Sequence, residues 1–448
     1  MTTDSQWTTE DRKQARRASL GAFMGAVVDW YDFILYGLTA ALVFNSQFFP
    51  NVSPEVGVIA AFATYGVGFF FRPLGGIIFG HFGDKLGRKR MLVLTMIIMG
   101  AATTLVGLLP TYAQVGVLAP ILLVVLRAVQ GIAVGGEWGG AALMSVESAP
   151  KNRRAFYSSG VQVGYQVGLI LATGFIAVMG FVAGDEGFLT WGWRVPYVAS
   201  IVLVGVGLIV RARVTETTAF TTEVEQKGAK AKMPLLAAFR ENPKAFLQIF
   251  GLRLVELFTS YIVTTFALSY STNTLHMDKQ FMLDIGIIVG VVGIFTIPTF
   301  AIISDRFGKR RVYILSGIVG AAAAAPFFMT LEAGFFPGVV VFSILLVNVA
   351  HDLAVSVQQP LFADMFATRN RYSGAGVAYQ LTSAVAGGLT PFIAAVLVAV
   401  MGGTWTLVVV YMVAGCLVSS AVAFFLRMRG SKDADEPEIA EAGAHRSW

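Results

Sequence analysis

Apolar residues run along this chain in long unbroken blocks, separated by short clusters of charge. Blocks long enough to cross roughly 30 Å of hydrocarbon fall at 19–42, 56–80, 90–110, 116–145, 155–181 and 192–211. A second set falls at 244–270, 282–303, 311–331, 336–362, 373–400 and 405–427. Each block predicts a helix, because within lipid a segment must satisfy its own backbone hydrogen bonds. The pattern therefore predicts an all-α membrane protein with twelve transmembrane helices in two groups of six, and a central cavity between the halves. Between the groups lies "RARVTETTAFTTEVEQKGAKAKMPLLAAFRENPK", the one long polar stretch. The expected organisation is a leading segment 1–18, a bundle 19–211, a linker 212–243, a second bundle 244–427 and a tail 428–448.

Composition agrees with that reading. Of 448 residues, 56% are hydrophobic and only 13% are charged, and a mean hydropathy of +0.69 is far too high for a soluble chain of this length. The net charge of +6 does not indicate nucleic acid, since the charges sit between apolar blocks and no recognition module is present. The single cysteine, Cys416, can form no internal disulfide. His81, His276, His351 and His445 are scattered without ligand spacing, so no metal or cofactor is expected. No nucleophile constellation argues for an enzyme, and a monomer is expected. The basic stretch "EDRKQARRASLGAFMG" looks like the flank of a signal peptide. The apolar run behind it is too long for one, so it reads as a retained first helix.

Charge fixes an expected orientation. With both termini cytoplasmic, the external loops keep only Lys279 and, at a helix start, Arg194, while nearly all other Lys and Arg fall inside. Arg72, Arg127 and Arg253 remain within predicted helices.

The two groups of helices are repeats. "GHFGDKLGRKRM" and "AIISDRFGKRRV" align Asp84 on Asp305 and Gly87 on Gly308, with basic triplets matched, each at the junction of a second and third helix. "ESAPKNRR" and "DMFATRNR" likewise place Glu147 and Asp364 seven residues before Arg154 and Arg371. A duplicated six-helix unit with parallel halves places a binding site between them near the midplane, the architecture of alternating access.

The loop "GDKLGRKR" and the helix "RAVQGIAVGGEWGG" resemble the signatures of the major facilitator superfamily. "VVDWYDFILYG", "FRPLGGIIFGHFGD", "GGEWGGAALMSVESAPKN" and "WGWRVPY" are similar to its metabolite:proton symporter family, whose cargoes are carboxylates and zwitterions. Within it, "GAVVDWYDF", "AFYSSGVQVGYQVGL", "AHDLAVSVQQPLF" and "RYSGAGVAYQ" resemble the shikimate-permease branch. Asp29 stands where relatives commonly carry a glutamate. The resemblance implies proton-coupled uptake of shikimate, or a similar small carboxylate, across a bacterial inner membrane. It also implies gating by the loop charges Asp84, Arg88, Asp305, Arg310, Glu147, Arg154, Asp364 and Arg371, which would latch and release helix ends. Proline or betaine, and citrate or another dicarboxylate, are the alternative cargoes. The tail has no heptads, so the C-terminal coiled coil of an osmosensing branch is not expected here. A receptor, a channel or a membrane-embedded enzyme is the reading from another class, and the repeated halves favour a carrier.

The intramembrane polar residues define the chemistry. Asp29 and Asp32 lie three apart on one helix face, each costing about 3 kcal/mol at mid-bilayer, so something must compensate them. Arg127 with Gln130, on one face of the fourth helix, is the candidate. It either staples two helices or exchanges a protein carboxylate for a substrate carboxylate, since a planar fork suits both. Asp29, Asp32 and Glu137 are the candidate proton carriers, with His351, Asp352 and Glu256 next in line. Arg253 and Glu256, at i and i+3, pair internally or face cargo. Asn348, His351 and Gln358 in the tenth helix and Gln162 and Gln166 in the fifth are neutral hydrogen-bonding candidates for a hydroxylated ring. Trp30, Tyr31 and Trp138 either pack or stack on such a ring. Gly160, Gly164 and Gly168 read as sites of close helix packing.

Overall fold

The computed structural model describes residues 9–86, 88–147, 154–212, 242–366 and 371–426. Most of the expected linker, residues 1–8 of the leading segment and the whole of the tail lie outside them. Among the described residues, every regular element is helical. Eleven helices among the described residues are long and apolar enough to cross a membrane. They are α1 (Leu20–Phe48), α2 (Pro54–Phe79), α3 (Arg90–Leu108), α4 (Leu118–Gly135), α5 (Ser159–Gly192), α7 (Pro243–Thr274), α8 (Lys279–Phe307), α9 (Lys309–Glu332), α10 (Phe336–Phe362), α11 (Gly374–Val400) and α12 (Thr406–Phe425). A twelfth apolar helix, α6, covers Arg194–Val210; its backbone stays helical to Ala212, 19 residues in all. The fold is thus the twelve-helix, two-half arrangement that the hydropathy pattern predicts.

Several helix ends run past the apolar blocks, and the first helix already begins at Thr9. α1 continues to Phe48 through a wide π turn at Ala40–Phe44. α5 breaks at Gly184, whose φ of 66° and ψ of 177° are not helical, and a further helical stretch beyond that kink reaches Gly192. Hydropathy marks where a helix leaves lipid, whereas backbone pairing continues until a residue breaks it. The end of α5 accordingly carries Asp185 and Glu186 beyond the apolar stretch.

Glycines set the closest approaches. A Cβ on Gly131 of α4 would lie 2.0 Å from the Gly68 carbonyl oxygen of α2. One on Gly75 would lie 1.9 Å from the Ile132 oxygen, and one on Gly135 1.9 Å from the Arg72 oxygen. Backbones this close gain dispersion contact that lipid cannot supply. The expectation for the fifth helix is met at two positions: a Cβ on Gly164 would fall 2.7 Å from Ala26 Cβ, and one on Gly168 2.9 Å from Trp30 Cβ. Between the halves, α5 lies against α8, where Gly290 faces Ile170 and Gly293 faces Gln166.

The α2–α4 seam also seats Arg127, because a Cβ on Gly68 would stand 2.7 Å from Arg127 Nε. Gly131→Ala is therefore expected to drive the two backbones apart, costing at least the roughly 1–3 kcal/mol of an overpacked core. Gly174 and Gly205 have nothing within 4 Å of such a Cβ, and their alanine variants are expected to be neutral. Melting temperatures followed by size-exclusion chromatography check the contrast. Equal melting of all three variants would refute the seam.

Candidate functional site

Wide π turns at Ile262–Phe266 of α7, Ile344–His351 of α10 and Ser383–Gly387 of α11 are mostly buried. Such turns rotate the helix face and recur at functional positions. Between the halves lies a cavity of about 20 Å³. Its walls include Trp30 of α1, Gln162 and Tyr165 of α5, Arg253, Glu256, Ser260 and Tyr261 of α7, His351 and Gln358 of α10, and Tyr379 of α11. That volume suits one water. An organic ligand enters only when the helices part. A larger recess of about 310 Å³ on α8 is lined by Val291, Val292, Phe295, Thr296, Thr299 and Phe300. It is open and almost wholly apolar, a chemistry suited to acyl chains.

In the N-terminal half, Asp32 is 1% exposed and Arg127 fully buried. Arg127 Nη1 lies 3.4 Å from Asp32 Oδ2 and donates to Gln130 Oε1 at 3.1 Å. Asp32 Oδ1 accepts from Gln130 Nε2 at 2.7 Å and from Thr103 Oγ1 at 2.5 Å. The guanidinium stacks over Phe33 and Tyr36, 4.2 and 4.1 Å from their centroids. Such desolvated cation–π contacts offset part of the charge's burial. Arg127 Nε and Nη2 make no hydrogen bond among the described residues. One edge of the fork is paired and the other is not. Arg127 reaches the cavity through rings: it lies 5.3 Å from Tyr65, which touches Tyr261 of the cavity wall edge-on at 6.1 Å. Asp29 is only partly buried and makes no ion pair with Arg127. Gln130 spends its amide on Asp32, Thr103 and Arg127. Tyr31 donates its hydroxyl to the Pro196 oxygen at 2.8 Å, toward α6. Neither lines the cavity.

In the C-terminal half, Arg253 is satisfied internally. Its Nε donates to Glu256 Oε1 at 2.6 Å, and its Nη1 donates to Ser383 Oγ at 2.7 Å and to the Tyr379 oxygen at 2.5 Å. Its guanidinium lies 3.4 Å from the Tyr379 ring centroid. Glu256 Oε2 has no partner among the described residues. A buried acceptor left open at a cavity wall is costly unless a donor visits it.

Four polar groups surround Asp352, which is fully buried. Oδ1 accepts from Gln166 Nε2 at 3.1 Å and meets His351 Nδ1 at 2.8 Å. Oδ2 accepts from Asn348 Nδ2 at 3.2 Å and from Thr296 Oγ1. The Gln166 bond crosses from one half to the other, as does Tyr165 to Ser260 at 2.5 Å. The structure thus brings Gln166, Asn348 and His351 together, with only His351 on the cavity wall. Gln162 Nε2 and both amide atoms of Gln358 are buried and have no hydrogen-bond partner among the described residues.

Sequence reasoning gave no role to Thr103, Thr296, Ser260, Tyr261, Tyr379 or Arg72. A lone hydroxyl or ring in an apolar block gives no signal. Arg72 did stand out as a charge, and it is buried between Phe33 and Phe69, 4.0 and 4.1 Å from their centroids.

Near the loops, Lys309 Nζ pairs with Asp364 at 3.2 Å, so the two repeated motifs of the second half meet. Arg310 donates to the Phe424 oxygen, and Asp305 is exposed. The side chains of Asp84, Arg88, Glu137, Trp138, Glu147, Arg154 and Arg371 lie outside the described residues.

Comparison with known proteins gives a consistent picture. The profile described as Major Facilitator Superfamily matches residues 22–301 and again 249–448. The Shikimate transporter of Escherichia coli (strain K12) is 58% identical over 415 residues, 92% of this chain and 95% of that protein. The Proline/betaine transporter of Salmonella typhimurium (strain LT2) is 34% identical over 403 residues, 87% of this chain and 79% of that one. Among solved structures, a D-xylose-proton symporter superposes with a TM-score of 0.68 at 19% identity, covering 92% of this chain and 98% of its own. That similarity is one of fold.

Proposed function

We propose that this chain, which belongs to the Major Facilitator Superfamily, carries shikimate together with at least one proton into the cell by alternating access. It is a permease and not an enzyme. The observation that supports the mechanism is the half-satisfied Arg127 fork beside Asp32, in a chain matched almost end to end by a shikimate transporter. In this reading the unpaired edge of Arg127 takes the substrate carboxylate. Asp32 takes a proton, and its protonation releases the guanidinium to the cargo, so that one ligand's arrival favours the other's. Glu256, Gln162, Gln358 and His351 replace the water lost from the ring hydroxyls. The protein resides in the bacterial inner membrane as a monomer, with both termini cytoplasmic.

Proteoliposomes with an imposed proton gradient test this reading with shikimate, quinate, proline, betaine, citrate and 2-oxoglutarate. Shikimate is expected to accumulate and a protonophore to collapse the accumulation. A strong preference for citrate, or uptake indifferent to the protonophore, would refute it.

The loop charges act as latches. By the repeat, the Lys309–Asp364 pair has its counterpart in Arg88 and Glu147. Asp84→Asn is expected to leave shikimate binding measurable but slow net transport, because a residue far from the midplane biases the conformational equilibrium without touching cargo. Loss of binding in a folded variant would contradict gating.

A further inference from the structure

His351 and Asp352 lie beyond the Asp32–Arg127 mechanism, yet they hold the most heavily bonded carboxylate of the cavity region. Asp352 is fully buried, and none of the donors around it is an arginine or lysine. The amide nitrogens of Gln166 and Asn348 approach it as donors, one at each oxygen. Asn348 is oriented independently, since the same nitrogen donates to the Val289 carbonyl oxygen at 2.8 Å and a carbonyl only accepts. With Asp352 ionised, both of its oxygens only accept, so His351 Nδ1, 2.8 Å from Oδ1, must be the donor of that bond. A neutral imidazole that donates at Nδ1 keeps a lone pair at Nε2. That atom makes no hydrogen bond to any described residue, and His351 lines the cavity. Across the same wall, Glu256 Oε2 is a second open acceptor.

We propose that Asp352 is a positioning residue for cargo specificity: it holds His351 in the Nδ1–H tautomer, so that His351 Nε2 and Glu256 Oε2 form an acceptor pair that reads hydroxyl donors on the ligand. The inference rests on the reading of this cavity as the cargo site. It gives the halves different tasks, with a carboxylate bound from the N-terminal half and ring hydroxyls from the C-terminal half. Glycine betaine, which has no hydroxyl to donate, would leave both acceptors unmatched. The ring of His351 also packs against Tyr165, 5.2 Å away between centroids, so its position has a support besides Asp352.

The test uses the full chain in nanodiscs with ¹⁵N-labelled histidine, the His351 signals being assigned by their loss in His351→Gln. The wild type is expected to show a protonated Nδ1 and a bare Nε2 at neutral pH. Asp352→Asn leaves a single carbonyl oxygen for the Thr296 and Asn348 donors and turns an NH₂ toward His351 and Gln166; the Gln166 amide can rotate to present its open Oε1 to that NH₂, and the His351 proton is expected to move to Nε2. In parallel, wild type is expected to prefer shikimate over analogues lacking one ring hydroxyl. Folded Asp352→Asn is expected to lose about ten- to a hundredfold of that preference for one analogue, with the maximal exchange rate largely retained. An Nε2–H ring in the wild type would overturn the proposal without any variant. So would an unchanged preference in an Asp352→Asn protein that elutes and melts as wild type does. An Nδ1–H ring in a protein that binds no shikimate would instead overturn the cargo reading and leave the tautomer assignment standing.

Discussion

Arg127→Ala is expected to abolish both proton-driven accumulation of shikimate and exchange of labelled for unlabelled shikimate across the membrane. The guanidinium is fully buried and stacked on Phe33 and Tyr36, and its removal leaves Asp32 with only the neutral donors Gln130 and Thr103. Breaking a buried pair from one side costs about 3–5 kcal/mol, or about two to four decades in affinity if the loss falls on the cargo. Arg127→Lys is expected to rescue little, because an ammonium offers a point charge where a carboxylate needs a planar fork. A structural staple would give a similar single-variant phenotype, so the double variant Asp32→Asn, Arg127→Gln decides between the two. Neutralising both partners removes the unpaired charge. A protein in which the pair only joins α1 to α4 would regain its melting temperature and its shikimate affinity together. A protein in which Arg127 holds the cargo would regain stability while affinity stays lost. Calorimetric binding beside thermal melting separates the outcomes.

The hydropathy pattern made the helices legible because in lipid the length of an apolar block and the pairing of its backbone are the same constraint. The repeat was legible because Asp84 and Asp305 recur at matched positions between matched helices. The site was less so. Asp29 and Asp32 share a face and stood as equals in the sequence. Depth and rotation in the bundle separate them, since Asp32 meets Arg127 while Asp29 does not. Arg253 and Arg127 both read as buried guanidinium groups. Arg253 turns out to be closed by Glu256, Ser383 and Tyr379, whereas Arg127 keeps two nitrogens open. That difference depends on carbonyl and hydroxyl oxygens from a helix over a hundred residues away, which no local spacing encodes. Asp352 stood only as a neighbour of His351 in the sequence. Its weight comes from Gln166 of the opposite half and Thr296 of α8, again long-range partners.

Asp32→Asn is expected to eliminate accumulation while sparing exchange. A proton on Asp32 cancels its charge, and the amide of asparagine reproduces that neutral state permanently: Oδ1 still accepts from Gln130 and Thr103, while Arg127 faces no anion. The cargo carboxylate then binds without a proton having to arrive, and the loaded cavity continues to alternate, so labelled shikimate still exchanges. Net movement against a gradient needs the proton to enter on one side and leave on the other, and asparagine has none to release. With one proton per substrate, each pH unit across the membrane supplies about 1.4 kcal/mol, a tenfold concentration ratio. The variant should therefore fall to a ratio near one at any imposed pH difference, and its exchange should lose the pH dependence of the wild type. Asp29→Asn, lacking any bond to Arg127, is expected to keep accumulation. If Asp32→Asn accumulated shikimate fully, the proton would have to travel elsewhere, and the same pair of assays would next be applied to Glu137→Gln, Glu256→Gln and His351→Gln.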